Sequence, residues 1–166
     1  MKQIQIYTSN IYGILDDLKK EKISFEYNAE FDEKKAVEVG TLGGYSAAWI
    51  AQGLALGGKL YSLEINADFA KAARENLKAA GANRKVEVLV GPAQESLKRL
   101  ASKGPFDFCF IDADKVSYPV YLRWAAKNLK KGGIVALDNS YLFGKLHLNP
   151  AQAGEEAPAV PAMREC

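Results

Sequence analysis

Val37-Glu38-Val39-Gly40-Thr41-Leu42-Gly43-Gly44-Tyr45-Ser46 is the stretch that decides the fold. A short β-branched run breaks into a turn rich in glycine and leads into an alanine-containing segment. A buried strand that hands over to a helix reads this way. The pattern recurs downstream. Leu60-Tyr61-Ser62-Leu63, Val86-Glu87-Val88-Leu89-Val90, Phe106 to Ile111 and Ile134-Val135-Ala136-Leu137 are short runs bounded by Gly, Asp or Asn. Such runs suit strands covered on both faces. Helical patterns lie between them. Ala67 to Ala80 has Asn66 as N-cap and Gly81 as stop, Pro92 to Ser102 follows the third run, and Tyr118 to Lys130 ends in lysines before Gly132-Gly133. Five strands alternating with helices predict an α/β, Rossmann-like, doubly wound, mainly parallel sheet.

The flanks differ in texture. Residues 1–34 are polar and charged, with Ile11, Ile14, Leu15 and Leu18 at helical spacing, and predict an N-terminal helical segment before a core at 35–146. Residues 147–166 carry Pro150, Pro158 and Pro161 among many alanines and predict an irregular C-terminal tail. The whole chain, 166 residues, is one domain's worth of core. Its 22 Lys and Arg against 20 Asp and Glu leave a net charge of +2, which argues against a nucleic-acid partner. No apolar run approaches the roughly 18–20 residues that span a bilayer. The N-terminus has no signal-peptide core, and Cys109 and Cys166 make no disulfide framework. The expectation is a cytoplasmic domain with neither nucleic-acid nor membrane partner.

In an open α/β sheet, ligands sit beyond the carboxyl ends of the strands. The Gly40–Gly44 turn lets backbone approach a ligand there. Glu64 closes the next strand and can take both hydroxyls of a ribose. The turn is not a dinucleotide fingerprint, because Leu42 and Tyr45 stand where G-x-G-x-x-G needs glycine, and it lacks the Gly-Lys-Ser/Thr of a P-loop. Glu38 beside it would repel a pyrophosphate but suits a cationic ligand bearing an amino group. S-adenosylmethionine is such a ligand. The competing reading is a tight turn flanked by strand-end acids.

The motif from Val37 to Ser46 resembles motif I of class I methyltransferases. Phe106-Asp107-Phe108-Cys109-Phe110-Ile111-Asp112-Ala113-Asp114-Lys115, followed by Tyr118 and Tyr121, and Gly132-Gly133-Ile134-Val135-Ala136-Leu137-Asp138-Asn139 narrow the resemblance. Together they are similar to the cation-dependent O-methyltransferases related to caffeoyl-CoA and catechol O-methyltransferases, over residues 35–146. The resemblance implies methyl transfer from S-adenosylmethionine, with S-adenosylhomocysteine as product, to a hydroxyl of a catechol-like small molecule by a homodimer. It implies that Glu38 binds the methionine ammonium, that Gly40, Thr41, Gly44 and Ser46 hold the methionine portion, and that Glu64 takes the ribose. Gly91, Pro92 and Ala93 would line the adenine, with Ala93 offering its backbone N–H; Ile65 and Asp112 would also contact the cofactor, Asp112 serving in catalysis as well, and Asp114 would contact cofactor or substrate. Asp112, Asp138 and Asn139 would bind Mg²⁺ or another divalent cation such as Ca²⁺ or Mn²⁺, and Lys115 would be the general base.

Elementary chemistry agrees with the resemblance. Asp112 and Asp138-Asn139 end successive strands. If those strands are neighbours, two carboxylates and an amide oxygen converge within roughly 5 Å, a hard-oxygen set. A cation there acidifies a bound hydroxyl, and Lys115, next to Asp112, can remove its proton. Taken singly, Asp112 also reads as a turn cap, Asp138-Asn139 as an Asx turn, and Lys115 as a surface lysine. Tyr118 and Tyr121 share a helix face and either pack or border the site.

Both ends depart from the family pattern. The family's C-terminal hairpin is not found, so the expected sheet keeps five strands and one open edge, a further reason to expect self-association. Truncation is the expected cause, ahead of a naturally reduced protein or a partner chain that covers the edge. Two other functions compete: a methyltransferase-like module that binds cofactor without turnover, and a nicotinamide-dependent oxidoreductase, against which Leu42 and Tyr45 count.

Overall fold

The computed structural model describes residues 5–7 and 35–166. Its strands are β1 (Gln5–Tyr7), β2 (Lys35–Val39), β3 (Lys59–Glu64), β4 (Val86–Val90), β5 (Phe106–Ile111) and β6 (Leu129–Leu137). Its helices are α1 (Tyr45–Gly53), α2 (Ala67–Ala79), α3 (Ala93–Leu100), α4 (Tyr118–Asn128) and α5 (Ala159–Glu165). The strands form one sheet in the order β1-β6-β5-β2-β3-β4, and every pairing is parallel. The five expected runs are all strands of that sheet.

Alternation along each strand sorts side chains onto two faces. Ala36, Leu60, Val86 and Val88 pack with Ala47 and Ala51 of α1 and Ala70 and Leu77 of α2. Val37, Val39, Leu63, Cys109, Ile111 and Val135 pack on the other face with Leu97 of α3, Tyr118 and Tyr121 of α4, and Val160 and Met163 of α5. Cys109 is wholly buried, as a core residue should be, and burial pushes its thiol up to about 12. Trp124 also serves packing: its ring lies 5.5 Å from that of Phe106, and its Nε1 donates to the Leu97 carbonyl. The Asn66 side chain caps α2 by accepting from the N–H groups of Asp68 and Phe69, as expected.

The connections place the topological switch point between β2 and β5. From β2 the chain winds outward through β3 to β4, then returns to the other side of β2 as β5 and continues to β6. Adjacent strands whose connections leave in opposite directions open a crevice at their carboxyl ends.

Two expectations change. The edge of β6 is not open, because Gln5–Tyr7 pairs with Ile134–Ala136 in parallel. β1 then forms that edge of the sheet. The expected helical pattern near Ile11 to Lys20 lies outside the described residues. β6 begins at Leu129 rather than Ile134. Lys130 to Gly133 form an irregularity between the Phe106–Leu129 and Phe108–Ile134 pairs, and Lys130 pairs with Asp107 at 2.6 Å instead of ending a helix.

The expected irregular tail is instead ordered. Short 3₁₀ turns at Pro150–Gln152 and Gly154–Glu156 lead into α5, whose Ala159, Val160 and Met163 are buried. The prolines do not oppose this. Pro158 stands just before α5 and Pro161 lies in its first turn, where the N–H groups have no intrahelical partner. No helix among the described residues is long and apolar enough to cross a membrane.

Met163→Ala is expected to lower stability by about 2–4 kcal/mol, the cost of emptying a core site. A surface tail would lose under about 0.5 kcal/mol. Urea denaturation of the two proteins separates these outcomes.

Candidate functional site

The first residues past the strand ends line up across the sheet. Each N–H donates to a carbonyl of the adjacent strand: Gly91 to Glu64, Gly40 to Leu63, Asp112 to Val39, and Asp138 to Ile111, all between 2.8 and 3.0 Å. These bonds extend the parallel ladder one step and fix the candidate residues in a row.

Gly40 sits at φ +101°, and a Cβ there would come within 1.8 Å of the Asp112 carbonyl oxygen. Only glycine fits. Gly44, at φ +80°, packs closely against Ala73 of α2, 3.2 Å from where a Cβ would stand. The turn is further tied by Asn76, whose Nδ2 donates to the Gly43 carbonyl at 2.9 Å.

Glu38 lies beneath this turn and is fully buried. Its Oε1 accepts from Ser46 and its Oε2 from Ser62, both at 2.5 Å, and Ser62 lies 2.5 Å from Thr41 Oγ1. Glu64 is nearly buried, and its two oxygens accept from the N–H groups of Leu42 and Asn66 at 2.8 and 2.9 Å. This carboxylate therefore holds the glycine turn in place while keeping lone pairs for a further donor. Ile65 is 74% exposed beside it. Pro92 and Ala93 open α3 just after Gly91.

On the other side of Asp112, the register pair Ile111–Leu137 brings Asp112 and Asp138 to adjacent strand ends. Asp138 is buried and Asp112 exposed. Asn139, at φ +49°, turns back so that its Nδ2 donates to Asp138 Oδ2 at 2.6 Å. Among the described residues no group of three His, Cys, Asp or Glu side chains is placed to hold a metal. The expected set here is two carboxylates and one amide. It suits a hard cation in kind, and the neighbouring Ser140 Oγ is a buried hydroxyl with no hydrogen-bond partner.

A family model described as O-methyltransferase matches residues 30–163. The chain belongs to that family. It is 40% identical over 131 residues to a catechol O-methyltransferase of Mycobacterium tuberculosis, covering 79% of this chain and 57% of that protein. An O-methyltransferase of Streptomyces achromogenes involved in tomaymycin synthesis, solved with S-adenosylmethionine, superposes with a TM-score of 0.71 at 34% identity, over 80% of this chain and 59% of that one. An O-methyltransferase of Bacillus cereus, solved with S-adenosylhomocysteine, superposes with a TM-score of 0.72 at 32% identity, over 93% and 74%. The chain thus spans little more than half the length of the curated relatives it matches. The family match runs past residue 146 into α5, consistent with a packed rather than irregular C-terminal segment.

In this O-methyltransferase fold, Lys115 extends toward the acid pair. Its Nζ lies 3.3 Å from Asp112 Oδ1 and 2.5 Å from the Tyr118 hydroxyl. Tyr118 is wholly buried, and its hydroxyl lies 3.0 Å from the carbonyl oxygens of both Ile111 and Asp138. One phenol therefore clasps the ends of β5 and β6 and seats Lys115. Burial, with Asp112 and Asp138 adding to it, drives the Tyr118 hydroxyl well above the usual phenol range, so it stays protonated. Asp114 is engaged locally: Oδ1 accepts from the Ser117 N–H and Oδ2 from the Tyr121 hydroxyl, both at 2.9 Å. His147 is exposed.

Sequence reasoning missed Ser62 and left Tyr118 undecided. A serine inside a buried parallel strand was the available signal for the first. Lys-x-x-Tyr spacing, one helical turn, was the signal for the second.

Burial pushes the Glu38 carboxyl up to about 7; the Ser46 and Ser62 hydrogen bonds pull it down, and Asp112 and Glu64 push it up. Between its ordinary 4.5 and about 7 the folded chain thus holds a proton that the unfolded chain has released. Stability falls as pH rises through that window, and the penalty is complete above it. Glu38→Gln should therefore stabilise the ligand-free chain by ~3 kcal/mol at about pH 8 and by little at about pH 5. Denaturant titrations at both pH values check this; equal effects would contradict it.

Proposed function

We propose that the chain transfers a methyl group from S-adenosylmethionine to a hydroxyl of a small catechol-like phenol, with a divalent cation held at the ends of β5 and β6. One observation carries the reading. The Asp112 backbone walls the glycine turn on one side, and the Asp112 carboxylate belongs to the acid pair on the other. A methyl donor on the turn and an acceptor at the acid pair would meet across a single residue. The adenosyl ligand of the Bacillus cereus relative and the name of the Mycobacterium tuberculosis relative support the two halves of this reading.

The chain's own groups suit the parts. Glu38, once ionised, would supply negative charge under the turn, and the Ser46 and Thr41 oxygens suit an ammonium above it. Glu64 suits a ribose diol. Exposed Ile65 would cover an adenine face, with Pro92 and the Ala93 N–H at the ring edge. Asp112 and Asp138 would each offer a carboxylate oxygen and Asn139 its amide oxygen to Mg²⁺, Ca²⁺ or Mn²⁺. When bound, the cation polarises an acceptor hydroxyl and S-adenosylmethionine supplies the methyl group as a sulfonium. Lys115, seated by Tyr118 beside Asp112, would receive the acceptor's proton at Nζ. The shared Asp112 wall would keep donor and acceptor in approach geometry, which is where a fixed scaffold contributes most.

Methyl transfer to catechol, measured with Mg²⁺ and then with EDTA, tests the reading. Asp112→Asn and Asp138→Asn are each expected to lose Mg²⁺-stimulated turnover by roughly 100-fold or more, with S-adenosylhomocysteine affinity held within about threefold. Mg²⁺-stimulated turnover surviving in either variant would overturn the metal assignment.

A further inference from the structure

Ser62 is the one polar side chain of the glycine-turn cluster for which neither the family resemblance nor the proposed reaction supplies a task. It stands in β3 as the register partner of Glu38 in β2, on the same face of the sheet, and it is wholly buried. Its hydroxyl lies 2.5 Å from Glu38 Oε2 and 2.5 Å from Thr41 Oγ1.

Proton counting fixes the direction of these bonds. A serine hydroxyl has one proton and two lone pairs. Ser62 gives its proton to Glu38, so Thr41 must give its own to Ser62. Ser46 likewise gives its proton to the other oxygen of Glu38. When Glu38 is ionised, every hydroxyl proton of the cluster points inward, so half-buried Ser46 and, beneath the turn, buried Thr41 have only lone pairs left for a ligand. Such a surface accepts from the ammonium of an amino-acid tail and leaves the tail's carboxylate to donors outside this cluster.

We propose that Ser62 is a positioning residue of the cofactor site: it relays the charge of buried Glu38 to Thr41 and so makes the glycine turn selective for a ligand bearing an ammonium-containing amino-acid tail. The inference rests on the reading that the ligand is S-adenosylmethionine or its product. The charged groups bearing on Glu38 are Asp112 after β5 and Glu64 at the end of β3, both carboxylates that oppose its ionisation. The Ser46 and Ser62 hydrogen bonds favour it. Loss of Ser62 therefore removes the relay and also makes Glu38 harder to ionise.

The test is calorimetric titration of the whole chain with S-adenosylhomocysteine and with methylthioadenosine, which has the nucleoside but no amino-acid tail. It runs from about pH 6 to about pH 8.5, a window that brackets the Glu38 transition near 7. Wild type should prefer S-adenosylhomocysteine, and the preference should grow as pH rises. Ser62→Ala should lose roughly tenfold or more of its S-adenosylhomocysteine affinity near neutral pH, keep methylthioadenosine affinity within about twofold, and shift the pH profile upward. Ser62→Thr should restore both. Thr41→Val, which cuts the far end of the relay without touching β3, should lose the preference as well.

Ser62→Ala with wild-type affinity and pH profile, or with equal losses for both ligands, overturns the relay while leaving the cofactor reading intact. A folded wild type that binds neither ligand overturns the cofactor reading and the relay with it.

Discussion

The contact between Gly40 and the Asp112 backbone is the constraint on which the candidate site depends. The two residues follow β2 and β5, the strands that flank the switch point, and they press together where no Cβ can stand. The approach sets the path of the glycine turn. It also fixes the distance between whatever the turn holds and whatever the acid pair holds, because Asp112 belongs to both. A side chain at Gly40 would push the turn off the strand ends and separate the two halves.

Everything else in the site reinforces this approach. The N–H groups past the strand ends extend the ladder across the sheet. Glu64 holds the turn through Leu42, Asn76 holds it through Gly43, and Ala73 packs under Gly44. On the far side, Tyr118 ties the carbonyls of β5 and β6 together and holds Lys115 against Asp112. The cost of this arrangement is a buried carboxylate, Glu38, which burial works against ionising while two serines support its charge. A buried acid so supported is placed to respond to a cationic ligand.

Much of this was legible in the sequence, for physical reasons that differ by element. Strands β2 to β6 announce themselves because strands buried on both faces are continuous apolar runs. The Asn66 cap is legible because capping is local chemistry. Glu64, Asp112 and Asp138 are legible because they stand just where apolar runs stop, and Glu38 because a lone acid interrupts one. Gln5–Tyr7 is not legible: three residues show no period, and their partner lies in β6, far along the chain. α5 is hidden because its prolines read as breakers until their place in its first turn is known. Ser62 is hidden because its role depends on register with Glu38, which only the paired sheet reveals. Tyr118 needs the ends of two strands and a helix turn together before its hydroxyl acquires meaning.

The most direct measurement is a crystal structure of the chain grown with S-adenosylhomocysteine and Mn²⁺, with the metal located by anomalous scattering. The expected result is the nucleoside ribose on Glu64, the amino-acid tail over the Glu38 turn, and a Mn²⁺ peak between the Asp112 and Asp138 carboxylates. A ligand seated away from the Gly40 turn, or a seated ligand with no metal at the acid pair, would contradict it.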